Sequence, residues 1–162
     1  MKRRLEAAAL FLAVAPFGGP DVDRLARAVP PELLPPAPTR ERIDWAARSL
    51  AADDASVREA AVRCLALEAA TAWDAIDEAS RASEWRARAG ALDAAARGAP
   101  LLADAASPAR LVHLAIAGAR DAHRGVRRSA ARLLAEAGAA GEATQALATL
   151  LADPFFDVRL EA

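Results

Sequence analysis

From residue 39 onward, apolar residues recur among polar ones with the spacing of one face of an α-helix. Starting from Val57, Ala87, Val126 or Val158, an alanine follows four residues later in every case, and apolar residues stand seven and eight residues later in the first three. Offsets of four, seven and eight residues bring side chains to one side of a helix. The pattern predicts a helix beginning near each of the four positions, and we expect these four side chains to point into a shared core.

A second periodic segment precedes these predicted helices. In three copies its apolar residues have the spacing 0, 4, 7 and end three residues before Asp53, Asp121 or Asp153, whereas the second copy has no such aspartate. Each pair of segments therefore predicts a helical hairpin of roughly thirty residues. The longest step between copies indicates an insertion near 99–107, and no segment has the pattern of a strand. The members of the three sets are Ile43, Ala47, Leu50; Leu111, Ala115, Gly118; and Ala143, Leu147, Leu150.

These hairpins resemble the HEAT repeat family, in particular its short phycobilisome-lyase-type units. The best match is 121–162, with an aspartate, Val-Arg, an alanine, paired leucines, a glycine turn and leucines leading to the next aspartate. The resemblance covers 39–162 and implies an all-α fold, a right-handed α-solenoid of HEAT-like helical hairpins. It also implies that the aspartates and the arginines near the second-helix starts tie neighbouring units together. Carried over, this structural ladder comprises Asp53, Arg58, Arg88, Asp121, Arg127, Asp153 and Arg159, with no aspartate in the second unit.

Residues 1–38 differ in character from the repeats. A basic start at 2–4 and an apolar run at 7–15 resemble a secretory signal peptide, although Pro16 stands at a poor place for cleavage. The alternative is an amphipathic first helix that caps the core. The proline-rich stretch at 30–38 predicts a linker. The sequence thus leaves open whether the protein is cytoplasmic or exported.

The last ten residues, DPFFDVRLEA, have the pattern of the turn and the first part of another second helix. We expect the repeat array to be a fragment of a longer one, with the last repeat truncated after Ala162. Leu147, Leu150, Phe155 and Val158 would then be partly open. The alternative is that a shortened hairpin is the natural end of the array.

Composition argues for helices and against a chemical role. Of 162 residues, 54% are hydrophobic, many of them alanine, and only 4% are aromatic, which favours closely packed helices over a β-sandwich. Cys64 occupies an apolar-stripe position and is predicted to be a buried, inert thiol. His113 and His123 lack neighbouring ligands for a metal. We predict no enzyme activity, no cofactor and no metal site.

Charge is uneven along the chain although the net charge is only −1. Six arginines lie between Arg110 and Arg132 against a single acid, Asp121. Such a cluster could hold a phosphate backbone, as HEAT-like DNA glycosylases do on a similar surface, or it could be a solvated helix face. A nucleic-acid-binding domain using this cluster is therefore one alternative function, and an accessory domain of a larger enzyme is another.

The function that we predict is a non-enzymatic scaffold for protein–protein interaction. The resemblance implies that second helices line a concave face, where Arg63, Asp93 and Arg132 would form one outward row. Glu59, Ala89, Arg128 and Leu160 would form another. Rows of mixed sign suit a protein or peptide partner better than a polyanion. The candidate partner-binding surface comprises Glu59, Arg63, Trp85, Asp93, Arg128 and Arg132, and no stretch is long enough to span a membrane.

Overall fold

The computed structural model describes residues 39–102, 108–138 and 141–162, and the leader at 1–38 lies outside them. Within these ranges the chain forms eight helices and no strand, so the prediction of an all-α protein is confirmed. The helices are α1 Thr39–Ser49, α2 Ala55–Leu67, α3 Ala69–Ala79, α4 Trp85–Leu102, α5 Pro108–Ala119, α6 Arg124–Ala137, α7 Glu142–Leu151 and α8 Phe156–Glu161.

Two kinds of contact organise the helices. Each even-numbered helix packs against the odd-numbered helix before it, which makes four hairpins. The even-numbered helices also contact one another in chain order, from α2 through α4 and α6 to α8. Among the odd-numbered helices, α1 packs against α3 and α5 packs against α7. The second helices of the hairpins therefore make an unbroken row of contacts.

The core lies where the apolar periodicity predicted it. Ala87, Val126 and Val158 are at most 5% exposed, which confirms their expected burial, whereas Val57 is half-buried. The residues four, seven and eight positions later are also buried in α2, α4 and α6. Because alanine supplies many of these contacts, the helices approach closely and bury little area per residue.

Glycine makes the closest of these approaches in α4. A Cβ added at Gly98 would lie 2.6 Å from the Cβ of Ala69 and 3.0 Å from the carbonyl oxygen of Ala66. Gly98 is thus a helix-packing residue inside α4, which continues to Leu102 through part of the expected insertion. Gly138, by contrast, does end α6, with a φ of 79° that favours glycine.

Exposed apolar side chains gather on the last hairpin. The expectation that Leu150 and Val158 would be partly open is wrong, since they are 1% and 0% exposed. The short α8 still covers them because it packs against both α6 and α7. Leu147 is half-buried and Phe155 is 42% exposed, in line with the expected partial exposure of these two residues. The largest apolar exposures lie at other positions of the same hairpin, namely Leu151 at 56%, Phe156 at 67% and Leu160 at 75%.

Candidate partner-binding surface

An arginine stands at the fourth position of every even-numbered helix, and it closes the turn of its own hairpin. In Arg58, Arg88 and Arg127, Nη1 donates to the carbonyl oxygens six and five residues earlier, at 2.6–2.9 Å. Arg159 donates in the same way to the carbonyl of Asp153, six residues earlier, at 2.6 Å. One side chain thus satisfies backbone acceptors that the turn leaves without partners.

The other edge of two of these guanidinium groups reaches the following hairpin. Arg88 binds both carboxylate oxygens of Asp121, with Nε–Oδ2 at 2.7 Å and Nη2–Oδ1 at 3.0 Å. Arg127 binds Asp153 in the same way, at 2.6 and 3.2 Å. A planar fork of donors facing a carboxylate is a strong and directional contact. We call each of these arginine–aspartate pairs a rung. A rung joins an arginine of one hairpin to the aspartate of the next.

Each rung aspartate also holds the start of its own second helix. The Oδ1 of Asp121 accepts from the backbone N–H of His123 at 2.7 Å, and the Oδ1 of Asp153 accepts from that of Phe155 at 2.9 Å. The hydrogen bond from Arg127 is the main cause that lowers the pKa of Asp153, against the opposing effect of burial. Burial also raises the pKa of Asp121, but its bonds to Arg88 and His123 outweigh it and the pKa is lowered. Both rungs are therefore ion pairs at neutral pH.

Three residues of the expected ladder, Asp53, Arg58 and Arg159, make no such rung within the described ranges. In the third and fourth hairpins the rung aspartate stands six residues before the ladder arginine. In the second hairpin this position is Ala82, six residues before Arg88, so Arg58 of the first hairpin has no carboxylate to bind there. Asp53 contributes its backbone carbonyl to Arg58. Arg159 forms no ion pair with any residue that the structure describes. The sequence pattern identified the residue types, but not that Arg88 and Arg127 bind the aspartate of the following hairpin.

A network of charged side chains crosses the row of second helices. Glu59 on α2 accepts from Arg97 on α4, at 2.6 and 3.2 Å, and from Arg63 one turn later at 2.9 Å. Arg132 on α6 bridges Asp93 on α4 at 3.4 Å and Glu161 on α8 at 2.8 Å. The network thus links neighbouring second helices through carboxylate–arginine pairs.

This pairing corrects the predicted outward rows. Arg63 is only 5% exposed, because residues 60–66 of α2 are all buried, and Ala89 is 9% exposed. Asp93 is half-buried, and burial raises its pKa against the lowering effects of Arg132 and Ser129. Of the seven residues in the two rows, only Arg128 and Leu160 are exposed. The face is therefore less open than the sequence suggested, since its charges are used between helices.

Aromatic and arginine side chains line the edge where the second helices begin. Trp85, the first residue of α4, stacks on His123 at 3.8 Å between ring centroids and 15° between planes. His123 caps α6 by accepting from the backbone N–H of Gly125 at 3.1 Å. Arg124, the first residue of α6, lies over the ring of Phe155 at 5.3 Å. The first residue of α4 or α6 thus covers the residue that directly precedes the second helix of the following hairpin.

We call this set the aromatic–arginine edge: Trp85, Arg86, His123, Arg124 and Phe155. Arg86 adds a further contact, with its guanidinium 5.2 Å from the Trp85 ring. Of these five residues, only Trp85 belongs to the partner-binding surface that the sequence predicted. The sequence does contain the signal, because Trp85 and Arg124 each stand three residues before a ladder arginine. The stacking partners, however, lie on the following hairpin and could not be assigned from spacing.

The six arginines between Arg110 and Arg132 do not form one patch. Arg110 lies over the ring of Trp73 at 5.3 Å, and Arg120 follows the far end of α5, about 15 Å away along the helix axis. Arg127 and Arg132 are held by carboxylates. Arg124 and Arg128 are one turn apart on α6 and both are exposed, so they are the part of the cluster that a partner could reach together.

The described ranges contain neither a reactive thiol nor a cluster of metal-ligating side chains. Burial raises the pKa of the Cys64 thiol to about 11, which leaves it protonated and unreactive at neutral pH. No three metal-ligating side chains come together in these ranges. No helix there combines the length and the apolar character that a membrane span requires.

Comparison with protein-family models, with curated proteins and with solved structures finds no match to this chain.

Proposed function

We propose that this protein is a non-enzymatic scaffold, a HEAT-like α-solenoid that binds another protein along its row of second helices. Three features support the solenoid. The second helices contact one another in chain order, the same rung joins consecutive hairpins twice, and the turn-closing arginine recurs in all four. Units that contact only their neighbours build an extended surface, which suits recognition of a partner.

The aromatic–arginine edge is the observation that carries the proposal. Tryptophan and arginine are the residue types most enriched among the energetically dominant positions of protein interfaces. Here they are already ordered, because Trp85 is stacked on His123 and Arg124 lies over Phe155. Pre-ordered side chains lose less conformational entropy when a partner binds. The edge continues onto the second-helix face through Arg128, one turn after Arg124.

The charges favour a protein partner over a nucleic acid. Arg127 and Arg132 are neutralised by Asp153 and by Asp93 and Glu161, so they offer little to a phosphate backbone. Affinity for DNA grows with the number of phosphates that cations neutralise. Two exposed arginines, of which Arg124 lies over the Phe155 ring, fit a partner that presents a few carboxylates and apolar side chains.

Affinity capture with a charge-reversal variant tests the surface. Proteins retained by the wild-type chain should be lost by Arg124→Glu/Arg128→Glu, because two attractive charges become repulsive. Arg40→Glu is the matched control, since this exposed arginine lies in the first turn of α1, away from the turns that lead into the second helices. Equal loss with the control, or no loss with the double variant, would contradict the proposed surface.

Fluorescence anisotropy with a labelled DNA duplex tests the alternative that the protein binds nucleic acid. We expect no binding at low salt. Binding that falls steeply as salt rises, and that Arg124→Ala/Arg128→Ala abolishes, would support the alternative instead.

A further inference from the structure

The second helix of the third hairpin begins with an uncommon cap. His123 directly precedes α6, and its Nδ1 accepts a hydrogen bond from the backbone N–H of Gly125 at 3.1 Å. Side chains with an oxygen acceptor usually fill this position. Asp54 does so before α2, where it accepts from the backbone N–H of Ser56 at 2.8 Å. The start of α6 depends instead on a nitrogen lone pair that a proton can occupy.

The cap bond fixes the form of the imidazole. A ring nitrogen that accepts a hydrogen bond carries no proton, so His123 is neutral in this arrangement and its proton is on Nε2. An imidazolium has a proton on both nitrogens and accepts no hydrogen bond. Histidine is the side chain that changes between these forms in the range from about pH 5 to pH 8. The cap of α6 is thus available only to the neutral form.

The same ring is part of the aromatic–arginine edge. His123 stacks on Trp85 with 3.8 Å between the ring centroids. Gly125 allows this arrangement, because a Cβ there would lie 3.0 Å from Cζ3 of Trp85 and 3.2 Å from Nδ1 of His123. Both rings therefore pack against the first turn of α6, and a change at His123 acts on the stack and on the helix together.

The carboxylate next to His123 is already bound. Asp121 accepts from the backbone N–H of His123, and both of its oxygens are held by Arg88 on α4. Arg127 on α6 is paired in turn with Asp153 of the fourth hairpin. Asp121 attracts an imidazolium through space, but it does not restore the acceptor that the start of α6 loses.

Positive charge already surrounds the stack. On α4, Arg86 lies over the Trp85 ring at 5.2 Å, with Glu84 4.0 Å from its guanidinium. On α6, the exposed Arg124 directly follows His123. A further cation at the N-terminal end of a helix is opposed by the helix macrodipole. Protonation of His123 therefore removes a hydrogen bond and adds a charge where the helix disfavours it.

We propose that His123 is a pH switch built into the aromatic–arginine edge. In its neutral form it caps α6 and holds Trp85 in the stack. When it gains a proton, the bond to Gly125 breaks, the first turn of α6 loosens and the edge loses its ordered form. The switch requires no partner. Its consequence, weaker binding of a partner in acid, rests on the proposed function of this edge.

NMR spectroscopy of the whole chain tests the switch directly. The ¹⁵N resonances of His123 should show a proton on Nε2 alone at about pH 7.5 and on both nitrogens at about pH 5. Over the same interval the hydrogen-exchange protection of the Gly125 amide should fall about fivefold, the equilibrium effect of one ordinary hydrogen bond. Ser56 is an internal control, because the carboxylate of Asp54 remains ionised at both pH values.

Two variants separate the switch from a general effect of acid. His123→Asn keeps a capping acceptor that does not titrate, so protection of Gly125 should be equal at both pH values. His113→Asn is the matched control, because His113 is exposed in the middle of α5, and it should leave the fivefold fall unchanged. Constant protection of Gly125 in the wild-type chain, or a fall that persists in His123→Asn, would overturn the proposal. Partner binding that is equally tight in acid while Gly125 responds as expected would count against the proposed function of the edge and leave the switch standing.

Discussion

At the scale of the residue, the ladder arginines do two separate jobs with one planar group. Nη1 closes the turn of the arginine's own hairpin, and in Arg88 and Arg127 the opposite edge binds the next hairpin. Arg58 and Arg159 do only the first job among the described residues. The chain thus contains its own control for the energetic value of a rung.

Replacing Arg127 should cost more stability than replacing Arg58. Arg127→Ala leaves the buried carboxylate of Asp153 without its cation, and breaking a buried ion pair in this way costs about 3 kcal/mol. Arg58→Ala loses hydrogen bonds to two carbonyls only, which is about 1 kcal/mol. Urea unfolding of the two variants measures the difference. Equal losses would mean that the rung adds nothing beyond closure of the turn.

Stability should fall in acid through the rung aspartates. The pKa of Asp153 is lowered in the folded protein, chiefly by Arg127, so the unfolded chain binds a proton more readily. The rung therefore contributes fully above the unfolded pKa of about 3.9 and is lost as the pH falls below it. The free energy of unfolding, measured from about pH 6 down to pH 2, should decline less steeply in Asp153→Asn.

Asp93 provides a control of opposite sign. Burial raises the pKa of the Asp93 carboxyl in the folded protein, so ionisation of this group disfavours folding. The contribution of Asp93 to the free energy of unfolding therefore declines as the pH rises through the folded pKa. Asp93→Asn should therefore make the acid decline of the whole protein steeper. A flatter profile in Asp93→Asn, or an unchanged one in Asp153→Asn, would contradict these assignments.

At the scale of the element, close approach between helices depends on positions that lack a Cβ. Gly98 places α4 against Ala66 and Ala69, where the nearest atoms are a backbone oxygen and a short side chain that cannot turn away. At Gly90 the nearest atom to an added Cβ is the terminal methyl of Leu50, at 2.8 Å. Gly98 therefore faces atoms that cannot move aside, whereas Gly90 faces a side chain that can rotate.

Gly98→Ala should destabilise the protein although alanine is the better helix former. The gain in helix propensity is about 1 kcal/mol, and overpacking against a rigid neighbour costs about 1–3 kcal/mol. Gly90→Ala should be milder, because the side chain of Leu50 can rotate. Thermal unfolding compares the two variants, and a more stable Gly98→Ala protein would show that α4 can shift away from α2 and α3.

At the scale of the whole molecule, the joints between hairpins are not equivalent. Rungs connect the second hairpin to the third and the third to the fourth. The first joint has Ala82 at the carboxylate position and relies instead on Glu59–Arg97, beside the packing of α2 on α4. In the proposed solenoid, where repeat units contact only their neighbours, a weak joint lowers cooperativity locally.

Ala82→Asp should complete the missing rung. Arg58 already closes its turn as Arg127 does, and Ala82 stands where Asp121 and Asp153 stand in later hairpins. A partly exposed charge-assisted bond of this kind stabilises by about 1 kcal/mol. Ala82→Asn is the matched control, because it keeps the size and lacks the charge. A rise in the urea midpoint with asparagine equal to that with aspartate would exclude an ion pair with Arg58.

The amino-acid sequence by itself determined the helices, the hairpin period and most of the core. The reason is local, since a stripe such as Ala130, Leu133 and Leu134 has to face one side of any helix that contains it. The turn glycine Gly138 and the inert Cys64 were predictable on the same basis.

Only the tertiary structure decided which residues meet between hairpins. The rung partners are 33 residues apart in Arg88–Asp121 and 26 apart in Arg127–Asp153, because the hairpins differ in length. No fixed spacing could assign them, nor predict that Arg63 would be buried while Phe156 is exposed. Such contacts depend on how neighbouring helices pack, and packing is a property of several segments of the chain together.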